Sequence, residues 1–94
     1  MSKSIIQSEK ECFFCKSRSN LEKHHIFGGA SRKKSERYGL TVYLCHSCHN
    51  EPPDGVHHNQ SNNLKLKKLA QRQFMKKHQL SISDFINEFG KSYI

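Results

Sequence analysis

Leu44-Cys45-His46-Ser47-Cys48-His49-Asn50 decides the reading of this chain, because seven residues hold two thiols, two imidazoles and the start of a helix. A Cys-x-x-Cys turn offers two thiolates at the bite a tetrahedral Zn²⁺ prefers. Upstream, Cys12-Phe13-Phe14-Cys15 is a second such turn, and the two use every cysteine present. The segment between them is long enough to form a hairpin that brings them together. Cys12, Cys15, Cys45 and Cys48 therefore read as one structural zinc site. A redox pair is the first alternative, but it belongs in a βαβ context this chain lacks and leaves the other turn unexplained. Plain buried cysteine is the second; ligand count and spacing favour zinc.

Size makes such a brace useful. A chain of 94 residues has room for one domain, 1–94,. It buries only roughly 60–65% of its unfolded surface, a marginal core that a structural metal or disulfides usually reinforce. Hydrophobic residues make up 34%, and mean hydropathy is −0.82. The first residues hold no apolar run of signal-peptide length, and no stretch approaches the ~20 apolar residues of a membrane span. The expected location is the reducing cytosol, where paired cysteines more often hold a metal than a disulfide.

Net charge is +8 and the pI about 9.5, which points to a polyanion, most simply DNA or RNA,. The charge is clustered. Arg32, Lys33, Lys34 and Arg37 are relieved only by Glu36, and Lys65, Lys67, Lys68, Arg72, Lys76 and Lys77 form a run without an acid. A solvated helix face explains any single lysine equally well. The lack of balancing carboxylates favours phosphate contact for the group, with Arg32, Lys33, Lys34, Arg37, Lys65, Lys68, Arg72 and Lys76 as the expected contacts.

Residues 21–27 hold the β-formers of a short strand ended by Gly28-Gly29, and residues 30–39 read as a basic loop with at most one helical turn,. Leu40-Thr41-Val42-Tyr43-Leu44 is the clearest strand and leads into Cys45,. A helix starting at the second knuckle is limited to a turn or two by Pro52-Pro53, and Asp54-Gly55 marks a turn,. Leu66, Leu69, Ala70 and Phe74 fall at helical spacing and predict a helix over 61–77,. Ser81 and Asp84 resemble a capping box for a last helix over 82–89, stopped at Gly90,.

Seven histidines is a high count for this length, and four of them, His24, His25, His46 and His49, lie between, within or directly beside the knuckles. Adjacent strand residues face opposite ways, so only a bend near Gly28-Gly29 lets His24 and His25 approach one locus by different routes, one toward a metal and the other toward water. Zinc binding by the knuckle fixes His49. His57 or His58 returns after the Pro-Gly turn. Three imidazoles with open positions left for water and phosphate make a catalytic rather than a structural pattern. His46 and His78 read instead as surface residues, the latter near a helix C-terminus where positive charge is welcome.

Cys-x-x-Cys, then Leu21-Glu22-Lys23-His24-His25-Ile26, then Leu44-Cys45-His46-Ser47-Cys48-His49-Asn50, resembles a zinc-braced HNH endonuclease. The resemblance covers residues 12–58, about half the chain. Small size and basic C-terminal helices over 61–90 resemble the compact HNH proteins of phages and prophages, which implies a bacterial or phage-infected host cytosol. The resemblance implies a small α+β, zinc-stabilised fold: a ββα-metal core in a treble-clef frame with added C-terminal helices. It makes His24 and His49 ligands of a catalytic metal and His25 the general base, and it implies a further ligand shortly downstream, for which His57 is chosen over His58 and Asn50 because Gly55-Val56 should turn it back toward the helix start. The family's middle asparagine falls on Leu40 here, so Asn50, Thr41 or a backbone carbonyl would have to take its task.

The expected activity is metal-dependent hydrolysis of DNA phosphodiester bonds, with little sequence preference because backbone contacts carry none. The cofactors are a structural Zn²⁺ and a second divalent ion, Zn²⁺, Ni²⁺, Mn²⁺, Co²⁺ or Mg²⁺; imidazole ligands lean toward the first four. No membrane partner is expected. The competing reading is a non-catalytic treble-clef module that binds nucleic acid or a protein partner. A third is an interaction protein that borrows the scaffold and sets its basic surface against an acidic partner. Two metals per chain favour the nuclease and one favours the others.

Overall fold

The computed structural model describes residues 3–94. Two short strands, β1 (Leu21–His25) and β2 (Thr41–Cys45), pair antiparallel with Leu21 opposite Cys45 and His25 opposite Thr41. Between them lie a single 3-10 turn at Gly29–Ser31 and α1 (Arg32–Tyr38). β2 runs directly into α2 (His46–Asn50), and α3 (Gln60–His78) and α4 (Ile82–Phe89) follow. The protein is a small α+β domain with a ββα-type core, a four-cysteine cluster and added C-terminal helices. No helix among the described residues is long and apolar enough to cross a membrane.

The expected loop at 30–39 is instead mostly helix. Arg, Lys and Glu are good helix formers, but the segment has no apolar stripe to announce itself. Its one buried residue is Ser35, whose hydroxyl donates to the Phe27 carbonyl at 2.7 Å and accepts from the Phe27 amide at 3.0 Å. α1 ends at Gly39, whose φ of +71° is left-handed and whose amide returns to the Ser35 carbonyl. A Cβ there would lie 2.1 Å from the Lys3 carbonyl oxygen, so a close backbone approach also requires glycine,.

The first knuckle docks beside β2 through the Phe13 amide, which donates to the Tyr43 carbonyl at 2.9 Å. The core is Ile26, Phe27, Leu40, Val42 and Leu44 from around the sheet, closed by Val56, by Leu66, Ala70 and Phe74 of α3, and by Phe85 of α4. Leu40 is wholly buried, which suits an apolar residue at the entry to β2. α3 begins at an N-cap where the Asn59 side chain accepts from the Asn62 amide at 2.9 Å,. α4 carries the full capping box of Ser81 and Asp84 and stops at left-handed Gly90.

Candidate metal centres

Cys12, Cys15, Cys45 and Cys48 converge, with their sulfurs all within 4.8 Å of one another. Four thiolates about 2.3 Å from one tetrahedral ion stand about 3.8 Å apart. The Cys15–Cys45 Sγ separation is 3.6 Å, right for a shared ion and far too long for a disulfide, and all four cysteines are free,. The Cys15 amide points at Cys12 Sγ from 3.5 Å. Burial pushes the Cys12 thiol up, but amides of Cys15, Cys45 and Phe14 outweigh it and bring the group down to about 6. Burial, then its sulfur neighbours, pushes Cys48 up. Four crowded sulfurs cannot all ionise without a cation among them, so the donor set fits Zn²⁺.

A second cluster stands apart. One ring nitrogen each of His24, His49 and His57 lies within 4.8 Å of the other two. Three elements build it. β1 turns His24 inward at 5% exposure, while its neighbour His25 faces the other way. α2 carries His49. His57 is brought back by a ladder along α2, in which the amides of Gly55, Val56 and His57 donate to the carbonyls of Glu51, Cys48 and His49 at 2.7, 2.9 and 3.2 Å. Gly55 sits so close to Glu51 that an added Cβ would lie 2.6 Å from its backbone nitrogen and oxygen. Buried Val56 anchors the turn. His58 stands outside the cluster.

Glu22 orients the second cluster. Its Oε1 accepts from His49 Nδ1 at 2.7 Å and from Asn50 Nδ2 at 2.9 Å, and its Oε2 meets His46 Nδ1 at 3.1 Å. A carboxylate only accepts, so His49 Nδ1 carries the proton and Nε2 keeps its lone pair. That Nε2 faces His57 Nε2 at 3.0 Å. His24 Nε2 is buried without a hydrogen-bond partner among the described residues. An orphaned buried nitrogen is costly unless something fills the place beside it. Burial, then the neighbouring imidazoles, pushes His24 down to about 3, so it is neutral near pH 7, as a metal ligand must be,. The three nitrogens thus fit a divalent ion, with Glu22 as the carboxylate behind a ligand that such sites commonly show.

His25 lies on the other face of β1, with Lys23. Its Nε2 is 3.2 Å from Glu36 Oε1, and Lys23 Nζ bridges both Glu36 oxygens at 2.9 and 2.8 Å. Lys23, then His25, holds the Glu36 carboxyl below the usual carboxylate range. The partner of His25 is therefore an α1 side chain, whereas Asn50 is engaged with Glu22. A cleft of about 300 Å³ opens beside the cluster, lined among others by His24, His25, His57, Asn63, Lys67 and Tyr93.

The basic residues divide. Lys34 is tied to α4, its ammonium against the Glu88 backbone carbonyl and 3.7 Å from the Glu88 carboxylate. Arg32 and Lys33 are exposed on α1, and Arg37 stacks 6.0 Å from the Tyr38 ring centroid. At roughly 100° per residue, Lys65, Lys68, Arg72 and Lys76 fall within about 80° of one another around α3, opposite the face that buries Leu66, Ala70 and Phe74,. Lys67 stands about 20° from Phe74 on the inward face, and reaches the cleft.

Three contributors escaped the sequence reading, and a fourth, Lys67, was read only as part of the basic run. Glu22 was legible, since it precedes His24 by two residues on one strand and so shares its face. Lys67 was legible from the helical period. Glu36 had no signal while its segment read as loop, and Tyr93 arrives from beyond the last helix. No family model, no curated protein and no solved structure matches the chain.

Proposed function

We propose that this protein is a metal-dependent endonuclease of the HNH type, acting as one domain to hydrolyse phosphodiester bonds of DNA with little sequence preference. The observation that carries the reading is the convergence of His24, His49 and His57 apart from the four-cysteine cluster, with a fourth histidine on the rim of the same cleft. A binding module needs the zinc and the charge, but not a second set of donors opening on a cleft.

In this reading His25 is the general base. Glu36 accepts from its Nε2–H, which leaves the Nδ1 lone pair to take a proton from water attacking phosphorus in line,. Neutral imidazole suits that task near pH 7. Glu22 keeps His49 Nε2 free for metal, and His24 and His57 complete the donor set. A divalent ion held by these three residues would supply charge neutralisation at the phosphate and its leaving oxygen. The exposed cations of α1 and α3 hold the backbone of the nucleic acid without reading its sequence.

The test is cleavage of supercoiled plasmid with a panel of divalent ions, comparing the parent with His25→Ala. Ion-dependent nicking by the parent, with 5′-phosphate ends, and its loss in H25A is the expected result. Equal rates for the two proteins would remove the role assigned to His25.

A further inference from the structure

We propose that Lys67 receives the phosphodiester at the imidazole cleft and that the segment after α4 sets its position. The substrate's identity rests on the nuclease reading above; the phosphate contact does not.

The cleft has cationic and neutral walls. It brings Lys67 together with His24, His25 and His57, and no aspartate or glutamate lines it. An ammonium in the same hollow as a cluster suited to a divalent cation repels that cation unless an anion lies between them. A phosphodiester, an anion with two non-bridging oxygens, would meet this requirement. Lysine acts as a point charge for phosphate and needs no bidentate geometry.

Lys67 is also held in place. Its Nζ lies 5.1 Å from the centroid of the Tyr93 ring, a cation–π arrangement,. Tyr93 in turn packs on Phe27 at 5.5 Å. One turn along α3, Gln71 is wholly buried, and it accepts from the Tyr93 amide at 2.7 Å and donates to Ser92 Oγ at 2.9 Å. A buried amide satisfied on both sides by one short segment fixes that segment, and with it the ring beneath the ammonium. The lysines and arginine on the outward face of α3 point away from this cleft, so they cannot make the same contact.

The experiment measures binding of a fluorescein-labelled DNA duplex by anisotropy across a salt series, using protein loaded with both metals in a His25→Ala background. Lys67→Met is expected to lower the slope of log K against log salt by about 0.9, the loss of one phosphate contact. Binding at moderate salt should weaken about tenfold, and Lys67→Arg should restore both; two ions per chain by elemental analysis verify each fold. An unchanged slope overturns the assignment. A second measurement needs no variant: bound duplex should slow acetylation of Lys67 severalfold, read by peptide mass spectrometry, and an unslowed rate overturns it equally. A protein that binds DNA through Lys67 but cuts it with no ion retains the contact and loses the nuclease reading. A protein that cuts DNA while K67M binds with the parent's slope loses the contact alone.

Discussion

Glu22 Oε1 sits 2.7 Å from Nδ1 of His49, a carboxylate locking an imidazole whose other nitrogen opens onto His57. The bond joins β1 to α2, so the strand that supplies His24 also aims His49. Removing such a carboxylate commonly costs 10–100-fold in metal affinity, roughly 1.4–2.7 kcal/mol. Glu22→Gln should therefore weaken the second metal by that order while the cysteine-bound ion stays. Calorimetric titration with Co²⁺ or Mn²⁺ checks this, and equal affinities for parent and variant would show that Glu22 serves only the fold.

Cys45 joins the sheet to the zinc cluster at the last residue of β2. Structural Zn²⁺ contributes roughly 10–16 kcal/mol of apparent binding energy in small zinc domains, against a typical total stability of roughly 5–15 kcal/mol. Cys45→Ala, or chelation of the parent, should abolish the cooperative thermal transition seen by circular dichroism. A C45A protein melting like its parent would refute the structural zinc.

Glu36 and His25 should differ in degree. General-base catalysis is typically worth 10²–10⁴-fold, the loss expected for His25→Ala. Glu36→Gln keeps an acceptor and loses the charge that steadies the imidazole, so a smaller fall of about tenfold in kcat is expected, with metal content unchanged. The Lys23–Glu36 pair is partly exposed, so stability should fall by only ~0.2–1 kcal/mol,. A full loss of activity in both variants would make Glu36 more than an orienting group.

Gly39 tests the junction between α1 and β2. A left-handed backbone costs a side-chain-bearing residue about 1–2 kcal/mol, and the 2.1 Å approach of Lys3 adds overpacking,. Gly39→Ala should lower the denaturation midpoint of the zinc-loaded protein by an amount equivalent to at least ~2 kcal/mol. An unchanged midpoint would mean that the segment beginning at Lys3 does not pack on the sheet as described.

Local chemistry was legible where ligands or caps repeat at fixed spacing. The two Cys-x-x-Cys turns announce a tetrahedral site because the bite is set within four residues. The Ser81–Asp84 box places α4 at Ile82–Phe89 because both bonds close within one turn. β1 is shorter than the 21–27 expected: the Ile26 amide still donates to the Leu40 carbonyl, the next position in register, but Phe27 turns aside to bond Ser35 of α1. α1 was illegible because the bond that settles it is to a residue outside the helix: Ser35 satisfies Phe27, and no apolar period records that.

The sequence alone determined that four sulfurs would converge, that a hairpin would join them, and that imidazoles would gather nearby, because ligand spacing and strand alternation are local properties of the backbone. Only the tertiary structure decided which imidazoles meet. His57 rather than His58 joins His24 and His49, because the amide ladder from Gly55 to His57 runs back along α2 and fixes the phase of that turn. Only the fold could also hand His25 to Glu36 and bring Tyr93 beneath Lys67, since those partners are 11 and 26 residues apart and meet through packing that no short-range pattern encodes.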